Sequence, residues 1–197
     1  MTILKNNISK LLMSIGLMLS LTSECYALQI SQEKFKDVYK YEEQKIELVI
    51  LGVALKRFSV LKEVAVGFYS VKETTEEQIL TNVPKRIEVA SIQKISKEEF
   101  TKETLKGMAE NLEPDTYKAL QEKIQQLTNW YIDLEPGDRY AFTYLPGIGT
   151  QIDLNGVKQG IIEGEDFAYG LFSIYIGAKP SDIRAKQKLI GRLNMYQ

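Results

Sequence analysis

The sequence predicts an α+β fold, in which an antiparallel sheet carries helices packed mainly on one face. Segments with the alternating or continuous apolar residues of strands are followed by segments with the spacing of amphipathic helices, and this order then repeats. Asn155-Gly156, a strong hairpin signal, joins two of the predicted strands. The regular alternation of single strands and helices that a parallel sheet needs is missing, so an antiparallel sheet is favoured.

The first half of the chain contains the predicted strands that begin the sheet. A lead-in strand is expected around residues 35–39. Residues 45–55 form a nearly continuous apolar run with β-branched side chains, as in a strand buried on both faces over part of its length. Gly52 within it indicates a bulge or a close approach by another backbone or a ligand. Strands are also predicted over residues 61–71 and 86–93, and a short helix capped by threonine over residues 74–80.

Helices dominate the next stretch. Ser96 and Glu99 fit a capping box, which predicts a helix over residues 97–111, and Pro114 begins a second helix that the apolar spacing extends to about Trp130. Residues 134–177 then predict strand, turn, strand, hairpin, strand and a very apolar helix. A last helix is expected from Pro180. Its inward-facing residues are expected to be Ile183, Ile190 and Leu193.

The N-terminus has the composition of a secretory signal peptide. Basic residues precede an apolar run over residues 11–21, and Cys25-Tyr26-Ala27 offers small residues at the −3 and −1 positions. We expect cleavage after Ala27, so that residues 1–27 are the signal peptide and residues 28–197 form a single domain, periplasmic or secreted. The apolar run is short for a membrane span, so no stable membrane insertion is expected after cleavage. An uncleaved signal anchor is the alternative.

Composition excludes several classes of function. The chain has 25 Lys and Arg residues against 26 Asp and Glu, a net charge of −1, which provides no electrostatic case for nucleic acid. It has no histidine, and its single cysteine lies in the predicted signal peptide. Catalytic systems built on histidine and the usual zinc sites are therefore excluded. We expect no cofactor and no metal, and the sequence indicates no particular protein partner.

Residues 137–182 resemble the C-terminal half of bacterial chalcone isomerase-like domains. The resemblance rests on a Gly-Asp strand start, a Tyr-x-Pro-Gly-x-Gly-Thr turn, the Asn-Gly hairpin, and Asp-Phe-Ala at the start of a helix that ends in Ile-x-x-Gly-x-x-Pro. Upstream, residues 51–72 are similar to the paired N-terminal strands of that family. The resemblance covers about residues 45–193 and implies an open-faced β-sandwich, a curved antiparallel sheet covered by helices with a cleft between the layers.

Activity does not carry over with the fold. Plant-type chalcone isomerases close a flavanone ring by intramolecular addition of a phenolate, in a cleft that uses an arginine, a threonine, a tyrosine, a lysine and an asparagine. We aligned the family pattern on Tyr69 and on the Glu-Asn pair at the end of the predicted helix. The five catalytic positions then fall, in the same order, on Gly52, Val64, Thr104, Gly107 and Asn111. Only the asparagine keeps its residue type. The resemblance therefore implies no catalytic residues of the plant type.

A non-catalytic branch of the family binds fatty acids and holds the carboxylate with arginine and tyrosine. Here Lys56 and Arg57 lie a few residues from the family's arginine position, and arginine can clasp a carboxylate with two parallel hydrogen bonds. The leading hypothesis is an exported, non-catalytic protein that binds a small amphipathic ligand such as a fatty acid. Its candidate ligand-binding residues are Lys56, Arg57, Tyr69 and Asn111.

Two other functions remain open at this level. One is an isomerase (an intramolecular lyase) with an active site rebuilt from Arg57, Tyr69 or Asn111, and the other is an envelope interaction module that uses the fold as a scaffold. The candidate residues also have plainer interpretations. Lys56 and Arg57 end a predicted strand, where basic side chains are usually solvated, and asparagine commonly caps the end of a helix.

Overall fold

The computed structural model describes residues 28–59 and 61–192, which form a seven-stranded antiparallel sheet with helices on one face. The predicted signal peptide lies outside the described residues. In the sheet every strand pairs with the one before it, so the order follows the chain from β3 to β9. These strands are β3 (Val38–Tyr41), β4 (Ile46–Arg57), β5 (Glu63–Ser70), β6 (Lys85–Ser91), β7 (Arg139–Leu145), β8 (Gly149–Leu154) and β9 (Val157–Ile162).

A separate hairpin and five helices complete the described part of the chain. The hairpin joins β1 (Leu28–Ile30) to β2 (Glu33–Phe35). Three helices lie between β6 and β7 in the chain, and two follow β9. They are α1 (Lys97–Asn111), α2 (Pro114–Ala119), α3 (Gln121–Asn129), α4 (Glu165–Ile176) and α5 (Ile183–Leu189). Among the described residues, none of these helices has the length and apolarity needed to cross a membrane. The predicted α+β open-faced sandwich is confirmed.

The sheet is buried on both faces in its first half. On one face, side chains of β5 and β6 such as Phe68 and Val89 pack with the helices in the main core. On the other face, Leu48 and Tyr69 pack with Phe35 of the N-terminal hairpin in a second, smaller core. Two cores explain why β4 is apolar almost throughout, since neighbouring residues of a strand point to opposite faces.

Local signals located several elements correctly. The hydroxyl of Ser96 accepts a hydrogen bond from the Glu99 amide (3.2 Å), and the Glu99 carboxylate accepts one from the Ser96 amide (2.9 Å), which completes the predicted capping box. Asn155 and Gly156 both have positive φ, as a tight hairpin between β8 and β9 requires. The bulge expected at Gly52 is present in the pairing of β4 with β5.

Other elements differ from the prediction. Residues 74–80 form turns and not a helix, and neither threonine caps a first turn there. The Thr74 hydroxyl contacts the Ser70 hydroxyl (3.0 Å), and the Thr75 hydroxyl has no hydrogen-bond partner among the described residues. The helix predicted over residues 114–130 is divided at Leu120 into α2 and α3. The last helix begins at Ile183, whose side chain is 56% exposed. Its buried residues are Ala185 and Leu189, and Ile190 packs against the main core. The prediction was therefore wrong for Ile183 and right for Ile190, and Leu193 lies outside the described residues.

Candidate functional site

A small cavity lies between the sheet and the helices, at the end of β4. Its volume is about 10 Å³, and it is enclosed by side chains from β4, β5 and β6 on one side and from α1 and α4 on the other. Most of these side chains are apolar, and the lining contains one lysine and one glutamate. The lining residues are Lys56, Phe58, Val64, Val89, Phe100, Glu103, Thr104, Ile174 and Tyr175.

Lys56 supplies the positive charge of this cavity, and its side chain is almost completely buried, with 2% of the residue exposed. Its Nζ lies 3.2 Å from Oε1 of Glu103 and donates a hydrogen bond to the carbonyl oxygen of Arg57 (3.3 Å). It also lies 5.6 Å and 5.9 Å from the ring centres of Phe58 and Tyr175. One carboxylate, one carbonyl and two aromatic faces therefore stabilise a buried ammonium group.

The Lys56–Glu103 pair has a buried end and a solvent-facing end. Burial lowers the pKa of Lys56, and the Glu103 carboxylate opposes this shift by stabilising the charged amine. The Glu103 side chain is 23% exposed, so its carboxylate keeps some contact with water. The ion pair thus points inward from the surface of α1, with the lysine inside and the glutamate at the rim.

Aromatic side chains continue from this cavity into the main core. Phe58 stacks on Phe100 with 5.8 Å between ring centres, and Phe100 in turn contacts Tyr131 (4.6 Å) and Tyr140 (5.4 Å). The Tyr131 hydroxyl lies 3.2 Å from the Thr104 hydroxyl, so this polar pair is satisfied inside the core. Burial raises the pKa of Tyr131, which therefore stays neutral. The region around Lys56 is apolar and aromatic, with few polar groups.

Four of the five positions onto which the plant-type catalytic groups map carry small or apolar residues here. Val64 and Thr104 line the cavity. A Cβ atom added at Gly52 would overlap carbonyl oxygens at the end of α5, and one at Gly107 would lie 2.8 Å from the Cγ2 atom of Ile174. The backbone of α5 and the side chains of α4 therefore occupy the space that larger catalytic side chains would need.

Arg57 follows Lys56 in the chain but lies on the surface. Neighbouring residues of a strand point to opposite sides, and the Arg57 side chain is exposed. Its backbone N–H donates a hydrogen bond to Oδ2 of Asp182 (3.0 Å), which attaches the end of β4 to the start of α5. With Ile183 and Arg184 it borders a surface depression of about 340 Å³. Arg57 and Lys56 therefore do not share a site.

Tyr69 lies on the face of the sheet that points away from the helices. It is fully buried, and its ring meets the edge of the Tyr39 ring with 5.2 Å between centres. Its hydroxyl has no hydrogen-bond partner among the described residues. Burial raises the pKa of this hydroxyl, so it stays protonated. The sheet itself separates Tyr69 from the cavity that contains Lys56.

Asn111 connects the end of α1 to the segment between α4 and α5. Its side-chain amide donates to the carbonyl oxygens of Gly107 (2.9 Å) and Lys179 (2.8 Å), and its Oδ1 accepts from the Lys179 amide (3.0 Å). Asn111 also borders an open cleft of about 570 Å³ whose charged lining residues are Glu113, Glu165 and Asp166. The four candidate residues thus lie in four separate environments, and only Lys56 reaches the enclosed cavity.

The structure contains a buried ionic cluster that the sequence analysis did not identify. Glu88 is fully buried on the face away from the helices and accepts hydrogen bonds from Nε of Arg86 (2.9 Å) and Nη1 of Arg139 (2.6 Å). Arg139 also donates to Glu33 of the N-terminal hairpin (2.9 Å). Burial alone would raise the pKa of Glu88, but the two arginines hold it below its usual value. This cluster attaches the hairpin to the sheet.

A second buried lysine lies on the helix-facing side, at the other end of the sheet. Lys85 is 1% exposed, and its Nζ donates to the carbonyl oxygens of Thr81 (2.5 Å) and Val83 (3.1 Å). It also lies 4.9 Å and 5.6 Å from the ring centres of Tyr144 and Phe172. Burial lowers the pKa of Lys85 to about 8. Its donors are directed to a loop, so this lysine stabilises the loop between β5 and β6.

Comparison with known proteins agrees with the fold, the sheet and its helix layer. The sequence profile of the chalcone isomerase-like family matches residues 27–191. The chain therefore belongs to the chalcone isomerase-like family, which confirms the resemblance found in its motifs. No curated protein sequence matches the chain. In the part of the chain that the structure describes, no group of three or more acidic, histidine or cysteine residues is arranged to hold a metal ion.

Solved structures show the same fold, and 38 of their chains match this one. One is the crystal structure of a fatty-acid binding protein from Arabidopsis thaliana, with a TM-score of 0.59 and 14% sequence identity. The alignment covers 81% of this chain and 98% of that one. At this identity the similarity shows a common architecture, and any ligand has to be argued from the residues of this chain.

Proposed function

We propose that this protein binds a small amphipathic carboxylate, such as a fatty acid, and that Lys56 holds the carboxylate between the sheet and the helices. The observation that carries this proposal is a buried ammonium group in an aromatic cavity, at the place where the family's cleft positions have become small or apolar. The fold is also that of a protein named for binding fatty acids.

The chemistry of the cavity fits both ends of such a ligand. A buried ammonium is costly unless an anion pairs with it, so the site favours a negatively charged head group. The neighbouring rings of Phe58, Phe100 and Tyr175 offer apolar contact to a hydrocarbon tail, whose burial contributes about 0.8 kcal/mol for each methylene. A single lysine holds a carboxylate by charge and not by a bidentate fork, so head-group geometry is weakly selected.

Ligand binding must enlarge this cavity. Its present volume is about 10 Å³, room for one water molecule, whereas ligand pockets usually measure roughly 300–1,000 Å³. Of the residues that line the cavity, Phe58 is the one we expect to move, because it lies in the connection between β4 and β5 and not within a strand or helix. Its ring stacks on that of Phe100 in α1. A bound ligand would therefore separate the Phe58 and Phe100 rings and occupy the space between them.

Titration with dodecanoate, followed by isothermal calorimetry, tests the proposal. We expect the unchanged protein to bind it, Lys56→Met to lose at least ten-fold in affinity, and the control Lys106→Met to bind normally, because Lys106 is exposed on the same helix layer. Native mass spectrometry and lipid extraction would identify any ligand that copurifies. Absence of binding to saturated fatty acids of 8 to 18 carbons by the unchanged protein would refute the proposal.

The site of action is part of the same proposal. The composition of residues 1–27 supports export with cleavage after Ala27. Cell fractionation followed by N-terminal sequencing should recover a mature protein that begins at Leu28 outside the cytoplasm. Recovery of the protein with residues 1–27 still attached, in the membrane fraction, would instead support a retained anchor.

No observation favours the two other functions in the same way. A rebuilt isomerase site would use Arg57, Tyr69 or Asn111, and these lie apart on the surface, on the far face of the sheet and at the end of α1. For an interaction module, the most exposed large apolar side chains among the described residues are Leu61 and Val157, which lie in two different hairpins. Neither arrangement identifies a substrate or a partner.

A further inference from the structure

We infer that Glu103 occupies, in the ligand-free protein, the place that the ligand's carboxylate takes on binding. This inference rests on the function proposed above and concerns how the same site is regulated. Glu103 presents a carboxylate to the buried Lys56 ammonium, with 3.2 Å between Oε1 and Nζ. A fatty acid that reaches Lys56 brings the same chemical group, so the two carboxylates compete for one cation.

The Glu103 side chain can move from the cavity into solvent. It lies at the rim of the cavity and is 23% exposed, whereas that of Lys56 is 3% exposed. Within the described structure, the hydrogen bond identified for the Glu103 carboxylate comes from Lys56. A rotation about its side-chain bonds takes this carboxylate into water, where its charge is solvated. Lys56 has no comparable route to solvent.

The exchange has a consequence for ligand class. When one carboxylate replaces another, the buried lysine stays paired and its desolvation remains compensated. A neutral ligand of the same length, such as an alcohol, cannot replace Glu103 without leaving Lys56 as an uncompensated buried charge. The buried Lys56 ammonium therefore makes the site selective for carboxylates over neutral lipids, and Glu103 lowers the affinity for every carboxylate by competing for Lys56.

The test compares dodecanoate with dodecanol in calorimetric titrations of four proteins: the unchanged chain, Glu103→Gln, Lys56→Met and the control Glu110→Gln. Glu110→Gln removes the same charge from an exposed position on the same helix. We expect Glu103→Gln to bind dodecanoate about ten-fold more tightly, since it removes the competitor for a partly buried cation. Dodecanol should bind Glu103→Gln no more tightly than the unchanged protein, and Glu110→Gln should not alter either affinity.

The outcomes separate the inference from the function on which it rests. One outcome would overturn only the inference: the unchanged protein binds dodecanoate, Lys56→Met loses this binding, and Glu103→Gln binds dodecanoate as well as the unchanged protein or more weakly. In that case Lys56 binds the ligand carboxylate, but Glu103 does not compete for it. If no variant binds dodecanoate, the proposed function itself is wrong. Should Glu103→Gln fail to fold, Glu103→Asp keeps the charge and shortens the reach by one methylene. It should then raise the affinity by a smaller factor, and unchanged affinity would overturn the inference.

Discussion

Replacing Lys85 by methionine removes a cation that the structure buries beneath α4 without a carboxylate in contact. The ammonium group is compensated by two loop carbonyls and two aromatic faces. Burial lowers its pKa from the ordinary 10.5 to about 8. Between these two values the unfolded chain binds more protons than the folded one, so the free energy of unfolding rises with pH across this window and falls as pH decreases through it. Methionine at position 85 has no such dependence.

The size of the effect follows from the two pKa values. A difference of this size corresponds to about 3 kcal/mol, of which about 2 kcal/mol falls between pH 7.5 and pH 10. The hydrogen bonds to the carbonyls of Thr81 and Val83 stabilise the ammonium form, so these figures are upper limits. Near neutral pH, the free energy of unfolding of Lys85→Met should therefore exceed that of the unchanged protein by the largest amount. This difference between the two proteins should decrease as the pH rises towards 10.

Urea unfolding of both proteins at half-unit steps from pH 7.5 to pH 10 measures this difference. Most other ionisable groups contribute alike to both proteins, so the difference in unfolding free energy isolates Lys85, and an unchanged m-value shows that the same surface is exposed on unfolding. A difference that stays constant over the whole range would refute the reasoning. It would mean that Lys85 is hydrated, or paired with an anion, in the native protein.

Three further substitutions test other parts of the structure. Glu88→Gln removes the carboxylate that joins two buried arginines, so it should destabilise the protein by about 3 kcal/mol in urea unfolding. A loss below 0.5 kcal/mol, as for an ordinary surface change, would contradict the burial of this cluster. Gly52→Ala places a methyl group against the end of α5 and should cost about 1–3 kcal/mol, with faster amide hydrogen exchange in that helix. Unchanged exchange there would show that α5 does not contact β4. Tyr69→Phe removes a buried hydroxyl that has no partner among the described residues, so it should raise the thermal stability by about 1 kcal/mol. A loss of stability would reveal a partner for that hydroxyl in solution.

Elements whose stabilising contacts lie within a few residues were predicted well. The capping box at the start of α1 and the Asn155-Gly156 hairpin are examples, because each is completed by neighbouring groups of the chain. Residues 74–80 were predicted as a helix and form turns, and the Thr74 hydroxyl contacts the Ser70 hydroxyl, four residues earlier. A threonine that could cap a helix can also make other local hydrogen bonds, so its presence alone does not establish a helix.

The candidate site was less accessible from the sequence. Glu103 and Glu88 look like ordinary charged residues of a helix and a strand, and no spacing or motif distinguishes them from solvated ones. Their roles depend on what covers them. Glu103 meets Lys56 because α1 lies over the end of β4, and Glu88 is buried because the N-terminal hairpin covers the far face of the sheet. Contacts between elements far apart in the chain decided both.

The sequence by itself determined the order of most strands and helices, the antiparallel pairing at the hairpins, and membership of the chalcone isomerase-like family. It also located a pair of basic residues at the end of β4. Only the tertiary structure decided that Lys56 is buried and Arg57 is exposed. Adjacent residues of a strand point to opposite faces, and at this point the helix layer covers one face while the other remains open to water.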